Sequence, residues 1–453
     1  MIPPRFLLLL ALIPSLCAGQ TEPREFTLKN GLRLIVKEDH RAPTAIQQVW
    51  YRVGGIDEDV GITGVAHVLE HMMFKGTKRY KAGEFSRLVT EAGGRDNAFT
   101  AKDYTVYFQQ VHKDRLPLVM QLEADRMANL VLRESDFKQE IRVVMEERRW
   151  RYEDRPPALV YENWMSAAFE SHPYRWPGIG WMEDLQKMTW RDARSWYERW
   201  YAPSNATVVV VGDVDAKQVF ALAQRYYGVV APKAVPAKRS VVEPRQRGSR
   251  RVTVKAPAEL PYLRIGYKVP ALRNASADRE PYALALLAEI LGGSDAARLQ
   301  RVLVRERKLA TTVSADYDFF ARGPATLSFE AGATPGRSAA ELEAALREIV
   351  GRVAAEGVTD EELRRAKARQ VAQEVYKRDS IFAQAMELGT LESVGLSYRD
   401  VDRILERLGE VTADEIVAVA KKYITDDGLT VAVLDPQPLG ERKAAAAPPR
   451  AGH

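Results

Sequence analysis

Cysteine, histidine and long apolar runs are all scarce in this sequence. Its 453 residues include one cysteine, Cys17, and six histidines. A single thiol cannot form a disulfide within the chain. After the first residues, no apolar run reaches the roughly 20 residues of a membrane-spanning helix, so we expect no transmembrane segment in the mature chain.

An excess of charge of either sign is also missing. The chain has 66 Lys and Arg residues against 61 Asp and Glu residues, which gives a formal net charge of +5. The two signs are interleaved along most of the chain, and that balance does not point to nucleic acid as a partner. With 46% hydrophobic residues, the chain can bury large cores, and it is too long for one ordinary domain.

Residues 1–19 have the layout of a cleaved secretory signal. An early arginine is followed by the apolar residues 6–13, then by a proline and by small residues. Cleavage after Ala18 or Gly19 would remove Cys17 and leave the mature chain without thiols. Lipid attachment at Cys17 is the alternative. We therefore expect an exported protein, periplasmic or extracellular, that is associated with a membrane if Cys17 is lipidated.

The hydrophobic pattern predicts strands first and helices next. Residues 24–39 alternate in polarity around Asn30-Gly31, which is typical of a β-hairpin, and residues 45–53 alternate as a third strand. Apolar residues spaced three and four apart predict the helices 65–74, 82–92, 114–130 and 134–151. Between them, the alternation over residues 97–111 predicts one further strand.

Two distant segments resemble each other. Residues 189–214 predict a helix that ends near Tyr201 and then a strand, and residues 412–434 predict a helix that ends at Tyr423 and then a strand. This internal repeat indicates a duplicated α/β domain.

The composition predicts where these units meet and end. Residues 232–251 are rich in Pro, Lys, Arg and Ser, which is typical of an extended linker, although a basic segment could also dock on an acidic surface or on lipid. We expect an N-terminal domain over 22–231 and a homologous C-terminal domain over 252–435. Residues 436–453 have the composition of a disordered tail.

Two of the histidines fall in the segment His67-Val68-Leu69-Glu70-His71. On a helix, positions four apart project from one face, so both imidazoles can reach one ion with Glu70 beside it. Zinc catalysis needs three protein ligands, an open position for water and a base, and Glu70 suits the role of the base. The order inverts the commoner His-Glu-x-x-His signature. The alternative is that these three residues lie on a solvated helix face and bind no metal. If they do bind a metal, Mn or Co could occupy the same site. A third protein ligand is still required.

The predicted helix 134–151 contains candidates for that ligand. Glu140 and Glu147 are seven positions apart and therefore share one face of the helix. One of them could bind the metal while the other orients a histidine ring. Glu146 is better explained as an ion-pair partner of the arginines on the same helix.

The sequence resembles zinc metallopeptidases of the pitrilysin and insulinase family. The resemblance is to the shorter branch that includes the mitochondrial processing peptidase and its bacterial relatives, and it covers almost the whole mature chain. It rests on the segments GVAHVLEHMMFKGT, GGRDNAFTAKDYTVYFQQV, EIRVVMEERRWRYEDRP and WYAPSNATVVVVGDVD.

The resemblance implies a complete metal site. It implies that His67, His71 and Glu147 bind Zn²⁺, that Glu70 activates water and that Glu140 orients a ligand. One Zn²⁺ per chain is expected, because no histidine occurs between the linker and the tail. The implied fold class is α+β, with two homologous α/β halves, each an antiparallel-rich sheet covered by helices, that form a clamshell around a central cleft.

The resemblance also implies where substrate binds. In this family the corresponding strand borders the cleft and pairs with the backbone of the substrate. Asn97, Ala98, Phe99 and Thr100 are therefore expected substrate contacts. The alternatives are a turn at Asn97 and ordinary sheet packing of Phe99.

One segment departs from the family pattern. Active members often have an Arg and a Tyr in the second half, in a segment like Arg-Glu-Lys-Gly-Leu-Ala-Tyr, that hold substrate and stabilise the oxyanion. This chain keeps Arg305, an expected substrate contact, but has Thr311 where the Tyr would stand. Loss of such a donor costs on the order of 3 kcal/mol of transition-state stabilisation. We expect a homodimer, or a heterodimer with a related chain without the zinc motif, in which the partner supplies the missing groups.

The sequence therefore predicts a zinc metalloendopeptidase that cuts unfolded or short polypeptides bound as an added strand. The alternative is a catalytically weak member of the family that binds peptides or acts as a structural subunit beside a related chain. Glu70 separates the two hypotheses, because a purely structural protein has no need for a base beside two metal ligands.

Overall fold

The computed structural model describes residues 22–439. The predicted signal segment with Cys17, and residues 440–453 of the predicted tail, lie outside the described residues. Within residues 22–439, every helix is too short or too polar to cross a membrane.

Two β-sheets form the framework. The strands are β1 (Arg24–Thr27), β2 (Arg33–Glu38), β3 (Thr44–Tyr51), β4 (Arg95–Thr100), β5 (Thr105–His112), β6 (Ala206–Gly212), β7 (Arg250–Pro257), β8 (Tyr262–Val269), β9 (Ala310–Tyr317), β10 (Ala325–Ala333) and β11 (Leu429–Gln437). The first sheet has the order β1-β2-β6-β3-β5-β4 and the second has the order β7-β11-β8-β10-β9.

Helices cover both sheets. They are α1 (Val65–Met72), α2 (Glu84–Glu91), α3 (Leu116–Asn129), α4 (Glu134–Arg148), α5 (Pro156–Ala168), α6 (Met182–Lys187), α7 (Trp190–Trp200), α8 (Ala216–Tyr226), α9 (Glu280–Gly292), α10 (Ala339–Glu356), α11 (Asp360–Lys377), α12 (Ile381–Val394), α13 (Val401–Glu410) and α14 (Ala413–Tyr423).

The two sheets repeat one topology. In each, a parallel pair, β2 with β6 and β7 with β11, is followed by three antiparallel strands. The helix and strand pairs α7–β6 and α14–β11 are the two segments whose similarity is visible in the sequence. The predicted fold class, two homologous α/β halves that form a clamshell with antiparallel-rich, helix-covered sheets, is confirmed.

Two helices exchange between the halves. Helix α5 packs on the second sheet, where the Trp164 indole donates to the Thr430 carbonyl oxygen at 3.0 Å. In return, α12 packs on the outer face of the first sheet, beside Trp50. The inner face of the first sheet lies against α1, α3, α7 and α8. Each half therefore contains one helix from the other half of the sequence, which a division into consecutive domains does not describe.

Two boundaries in the first half differ from the sequence-based expectation. Residues 97–111 are two strands, β4 and β5, because the chain turns at 101–104, where the Ala101 amide donates to the Tyr104 carbonyl at 2.8 Å. That turn contains neither glycine nor proline, so no residue type in the sequence marks the break between the two strands. The α-helix predicted over 134–151 ends at Arg148 and continues as the π-helical turn Arg149–Glu153.

The predicted linker and tail are both shorter than expected. Strand β7 begins at Arg250, inside the predicted linker, and β11 continues to Gln437, inside the predicted tail. The cause is their mutual pairing, which runs in parallel register from Arg250 with Thr430 to Pro257 with Gln437. A partner strand so distant in the chain is invisible to local composition.

Candidate metal centre

Helix α1 carries His67, Glu70 and His71, and all eight of its residues are buried. It begins after Gly64, whose φ of +87° is in the left-handed region. A Cβ atom there would lie 2.3 Å from the Ile179 carbonyl oxygen, so glycine is required for this close approach.

The amino end of α1 is capped by a buried carboxylate. Glu58 accepts hydrogen bonds from the Gly64 amide at 2.8 Å and from the Ala66 amide at 3.0 Å. These bonds satisfy amide groups that have no partner within the helix. Burial raises the pKa of Glu58 to about 8, against the lowering effect of the two amides.

Helix α4 packs beside α1 and completes a cluster of possible metal ligands. Donor atoms of His67, His71 and Glu147 all lie within 4.8 Å of one another. Glu147 Oε2 is 3.3 Å from His71 Nε2 and 3.7 Å from His67 Nε2. Two imidazole nitrogens and one carboxylate oxygen match the donor set of catalytic zinc sites. The residues present therefore fit a zinc ion.

Glu140 lies behind this cluster. Its Oε1 is 3.0 Å from His71 Nδ1 and its Oε2 is 2.5 Å from Lys75 Nζ. This contact fixes the ring of His71 and turns its Nε2 toward Glu147. The geometry thus distinguishes the two glutamates: Glu147 faces both imidazoles, whereas Glu140 contacts only one of them, that of His71, through Nδ1. Helix periodicity alone could not make this distinction. Glu146 is exposed and pairs with an arginine on the same helix, as predicted.

The cluster stabilises positive charge. Burial lowers the pKa of His71, but hydrogen bonds to Glu140 and Glu147 outweigh it and raise the pKa to about 9. Burial raises the pKa of Glu147, but the hydrogen bond from His71 and the charge of His67 outweigh it and lower the pKa to about 2. Both shifts follow from imidazoles enclosed by carboxylates, an environment that also suits a divalent cation.

Glu70 is held by the neighbouring strand. Thr100 Oγ1 on β4 donates to Glu70 Oε2 at 2.6 Å. Burial raises the pKa of Glu70, and this hydrogen bond offsets part of the effect. Thr100, an expected substrate contact, therefore touches the expected base instead of lying apart from it.

The other expected contacts on β4 face different ways. Ala98 belongs to the core on the α1 side, whereas the Phe99 ring packs against Tyr104 on the opposite side, with centroids 6.3 Å apart. Asn97 is exposed, and its Oδ1 accepts from the Ala98 amide at 2.8 Å. The Phe99 side chain thus takes part in packing against Tyr104, and its role as a substrate contact stays a prediction.

Strand β4 lies at the edge of the first sheet. It pairs with β5 on one side, and within residues 22–439 no strand pairs with its other side. An edge of this kind can accept an extended peptide as an additional strand. The edge and the histidine cluster lie together, joined by the bond from Thr100 to Glu70.

Arg305 is not brought into the cluster. It is exposed on the π-helical segment Gln300–Glu306, and its guanidinium donates to the Asp295 carbonyl oxygen in the second half. Thr311 is exposed near the start of β9 and donates to the Gly332 carbonyl oxygen at 3.2 Å. Both residues make these contacts within the second half.

Several partners of the cluster escaped the sequence analysis. Lys75 contacts Glu140, and Arg151 Nε lies 2.9 Å from Glu147 Oε1. Both could have been found, because Lys75 follows His71 by four positions and Arg151 follows Glu147 by four. The capping role of Glu58 has no comparable local signal.

Fold and site together define an α/β protein with two buried histidines, a half-buried carboxylate close to both and a second glutamate beside them, the arrangement of a metallopeptidase. Comparisons with known proteins specify the class. The family model described as insulinase (peptidase family M16) matches residues 33–179, and the one described as the peptidase M16 inactive domain matches residues 187–370. The chain belongs to peptidase family M16, which confirms the resemblance found in the sequence.

Individual relatives agree. The zinc protease PqqE of Helicobacter pylori is 32% identical over 418 residues, 90% of this chain and 92% of that protein. An uncharacterized zinc protease of Mycobacterium leprae is 31% identical over 402 residues, 88% of each chain. The crystal structure of a protease from Helicobacter pylori has a TM-score of 0.88 at 31% identity and covers 92% of this chain and 100% of that chain.

A longer protein shares the fold. The periplasmic protease PqqL from Escherichia coli has a TM-score of 0.78 at 19% identity, over 95% of this chain but 51% of that chain. This chain therefore corresponds in fold to about half of PqqL.

Proposed function

We propose that this chain is a zinc-dependent metalloendopeptidase for unfolded or short polypeptides. The observation that carries the proposal is the convergence of His67, His71 and Glu147, whose donor atoms lie within 4.8 Å of one another, beside Glu70. Support comes from the relatives named zinc proteases.

Each residue of the cluster has a separate role in this proposal. His67, His71 and Glu147 hold one Zn²⁺ per chain. Bound Zn²⁺ supplies Lewis acidity, which makes water a nucleophile near neutral pH. Glu70 takes the proton from the attacking water and gives it to the leaving amine. Glu140 orients His71 through Nδ1, and Thr100 fixes the Glu70 carboxylate.

The substrate binds along β4 in this proposal. Main-chain hydrogen bonds from the open edge hold an extended peptide regardless of most of its side chains. Asn97, Ala98, Phe99 and Thr100 contribute through their backbone. A folded substrate has no extended segment to add to the edge, so unfolded or short polypeptides are preferred.

We further propose export and assembly with a partner. Export rests on residues 1–19 and on the description of PqqL as periplasmic. Assembly rests on Arg305 and Thr311, which contact only their own half in the bonds described above. A second copy or a related chain without the zinc motif would supply the substrate-holding groups.

A second candidate function is a peptide-binding or structural subunit with weak catalysis. The observation that favours it is the position of Thr311, which bonds to Gly332 in the second half, where active relatives of the resembled type have a tyrosine. In that case the metal would stabilise the fold, and a related chain would perform the cleavage.

The deciding experiment compares the mature chain with its Glu70→Gln variant. Bound zinc is measured by elemental analysis, and cleavage is measured on a mixture of unfolded, internally quenched peptides, with and without a co-expressed partner. Glu146→Gln is the matched control, because Glu146 lies on α4 but is exposed and paired with Arg149. We expect one zinc per chain in all three proteins and a loss of cleavage of about 10²- to 10⁴-fold in Glu70→Gln alone.

Either main result is informative. Cleavage by the wild type and by Glu146→Gln, with zinc retained in Glu70→Gln, supports the peptidase and the role of Glu70. Zinc without cleavage in any of the three proteins, even with the partner present, contradicts the peptidase proposal and favours the peptide-binding subunit.

A further inference from the structure

One arginine of the second half lies where the halves meet, in contact with the turn that follows β4. Arg322 is in the loop 318–324, between β9 and β10. Its Nη1 and Nη2 donate to the two carboxylate oxygens of Asp57, at 2.8 and 3.0 Å. The two side chains are 13% and 4% exposed, so this bidentate pair is shielded from water.

Arg322 also binds the turn that follows β4. Its backbone amide donates to Asp103 Oδ2 at 3.1 Å, and its Nη1 donates to the Asp103 carbonyl oxygen at 3.1 Å. Tyr174 reinforces this contact, because its hydroxyl donates to Asp103 Oδ1 at 2.6 Å and accepts from the Gly323 amide at 2.9 Å. The turn 101–104 is thereby fixed to the second half.

The turn leads directly to Glu70. Thr100, the last residue of β4 before the turn, donates to Glu70 Oε2 at 2.6 Å. A displacement of Asp103 would therefore move the end of the edge strand and the hydroxyl that orients Glu70.

Asp57 connects Arg322 to the start of α1, the helix that carries His67, Glu70 and His71. The next residue, Glu58, accepts from the Gly64 and Ala66 amides at the start of α1. The segment 54–58 is also bonded to the turn, since the Ile56 amide donates to the Lys102 carbonyl oxygen at 2.8 Å. Both segments that enter the site are thus bonded to each other, and both are bonded to Arg322.

We propose that Arg322 is a positioning residue for the metal centre. From the half without metal ligands, it fixes the entry of α1, which carries His67, Glu70 and His71, and the end of the substrate strand, which carries Thr100. Its bonds go to Asp57 and Asp103, and not to the residues that would hold the metal. The catalytic part of this inference rests on the proposed peptidase function, whereas the positioning part rests on the contacts alone.

The test uses Arg322→Met in the full-length chain, with Arg322→Lys as the conservative variant. Lys238 Nζ lies 3.2 Å from Asp57 Oδ2, so Asp57 keeps a cationic partner in both variants. Lysine keeps the charge but lacks the bidentate fork.

The matched control is Arg33→Met. Arg33, on β2, pairs with Glu392 of α12, which joins the halves at another place, and also with Glu25 of β1. Glu392 is 5% exposed, comparable to Asp57 at 4%. The control therefore removes an arginine from a shielded acid between the halves without touching the segments 54–58 and 101–104.

We expect Arg322→Met to lower kcat by about 10- to 100-fold with little change in KM, because small misplacements of reacting groups are costly. Arg322→Lys should recover part of kcat. Arg33→Met should lower the melting temperature comparably and leave kcat near the wild-type value. Equal kcat values in Arg322→Met and Arg33→Met would overturn the inference.

Hydrogen exchange supplies a readout that is independent of activity. Amides in residues 54–66 and 95–104 should lose protection in Arg322→Met and keep it in Arg33→Met. Unchanged exchange in both segments would overturn the positioning role. If the wild type has no peptidase activity, the proposed function fails while the exchange result still decides whether Arg322 orders these segments. If Arg322→Met does not fold, Arg322→Lys is judged by the same two criteria.

Discussion

The two halves build the same crossing of helices beside an edge strand, but they fill it differently. In the first half, α1 packs against α4 next to β4, and in the second half α9 packs against α11 next to β9. The first crossing brings together His67, His71 and Glu147. On α9, the corresponding inner surface is apolar, with Leu286, Leu287 and Ile290 buried.

The helices of the second crossing, α9 and α11, nevertheless carry two acids beside a cavity whose lining also includes Asp316 and Glu387. This cavity, of about 280 Å³, lies between α9, β9 and the helices α11, α12 and α13, and Glu289 and Glu374 line it. Glu289 Oε1 lies 2.7 Å from an Arg369 nitrogen, and Glu374 Oε2 lies 2.9 Å from Lys377 Nζ. In these contacts both acids pair with cations, whereas Glu147 pairs with Arg151 and also faces two imidazoles. The comparison teaches that both halves place an acid where two helices cross, and that the two histidines distinguish the crossing that can bind a metal from the other one.

The largest expected effect is a difference in zinc affinity between two variants, Glu147→Gln on α4 and Glu374→Gln on the equivalent helix α11. Loss of a partner of a metal ligand costs about 10- to 100-fold in affinity, so loss of a ligand itself should exceed about 100-fold. We expect Glu147→Gln to lose zinc and cleavage, and Glu374→Gln to retain both. Zinc titration with a competing chelator measures the difference. Equal zinc affinities in the two variants would show that α4 does not provide a ligand.

A smaller effect is expected one contact away from the metal, at Glu140. Replacing Glu140 by Ala removes the acceptor for His71 Nδ1 and should lower zinc affinity by about 10- to 100-fold. Lys75→Met is the graded control, because it removes the cation beside Glu140 but keeps the contact with His71. The same chelator titration applies. A Lys75→Met effect as large as that of Glu140→Ala would mean that charge, and not ring orientation, is what Glu140 provides.

Local spacing explains why the central part of this site could be predicted. His67, Glu70 and His71 occupy one helical turn, and periodicity alone places them together. Periodicity also put Glu140 and Glu147 on one face, but it could not say which of them meets the imidazoles. That choice depends on how α4 crosses α1, so only the family resemblance indicated it before the structure was known.

The rest depended on contacts between distant segments. Arg322 meets Asp57 and Asp103 across more than two hundred residues, and no local pattern marks such a pair. The exchange of α5 and α12 is equally hidden, because each helix has an ordinary apolar pattern that would fit either sheet. The internal repeat indicated a duplicated α/β domain and the family resemblance implied the clamshell, whereas neither indicated the contacts that join the two halves.

The exchanged helices give the next prediction, on stability. Helix α5 places Trp164 on Gly266 of β8, and α12 places Gly389 on Trp50 of β3. A Cβ atom would lie 2.6 Å from the first indole and 2.0 Å from the second. Gly266→Ala and Gly389→Ala should each lower the free energy of unfolding by about 1–3 kcal/mol, because both sites are already filled.

Urea unfolding of the two glycine variants checks this reciprocity. Gly351→Ala is the control, since Gly351 lies within α10 and a Cβ atom there has no neighbour within 4 Å. That change should stabilise the chain by roughly 0.5–1 kcal/mol through helix propensity. If only one of the two interface glycines proved sensitive, the exchanged helices would not contribute equally.

The smallest expected effect contrasts two kinds of buried histidine. Carboxylates raise the pKa of His71 in the metal cluster to about 9, whereas burial lowers the pKa of His172, near the contact between the halves, to about 4. Among the charges around His172, Glu243 opposes this shift, and the cations Arg273, Arg322 and Lys102 add to it. His172 Nδ1 accepts from the Tyr174 amide at 3.3 Å, as a neutral ring can.

A neutral, buried His172 makes stability depend on pH with a defined sign. The unfolded chain binds the proton near pH 6.5 and the folded chain only near pH 4, so stability present above pH 6.5 is lost as the pH falls. His172→Gln should therefore lose less unfolding free energy than the wild type, by about 1 kcal/mol between about pH 7 and about pH 5.5. Urea unfolding at both pH values measures it, with the exposed His112→Gln as control. Any acid-induced release of zinc would affect both variants alike. Identical pH slopes in His172→Gln and His112→Gln would therefore show that folding does not lower the pKa of His172.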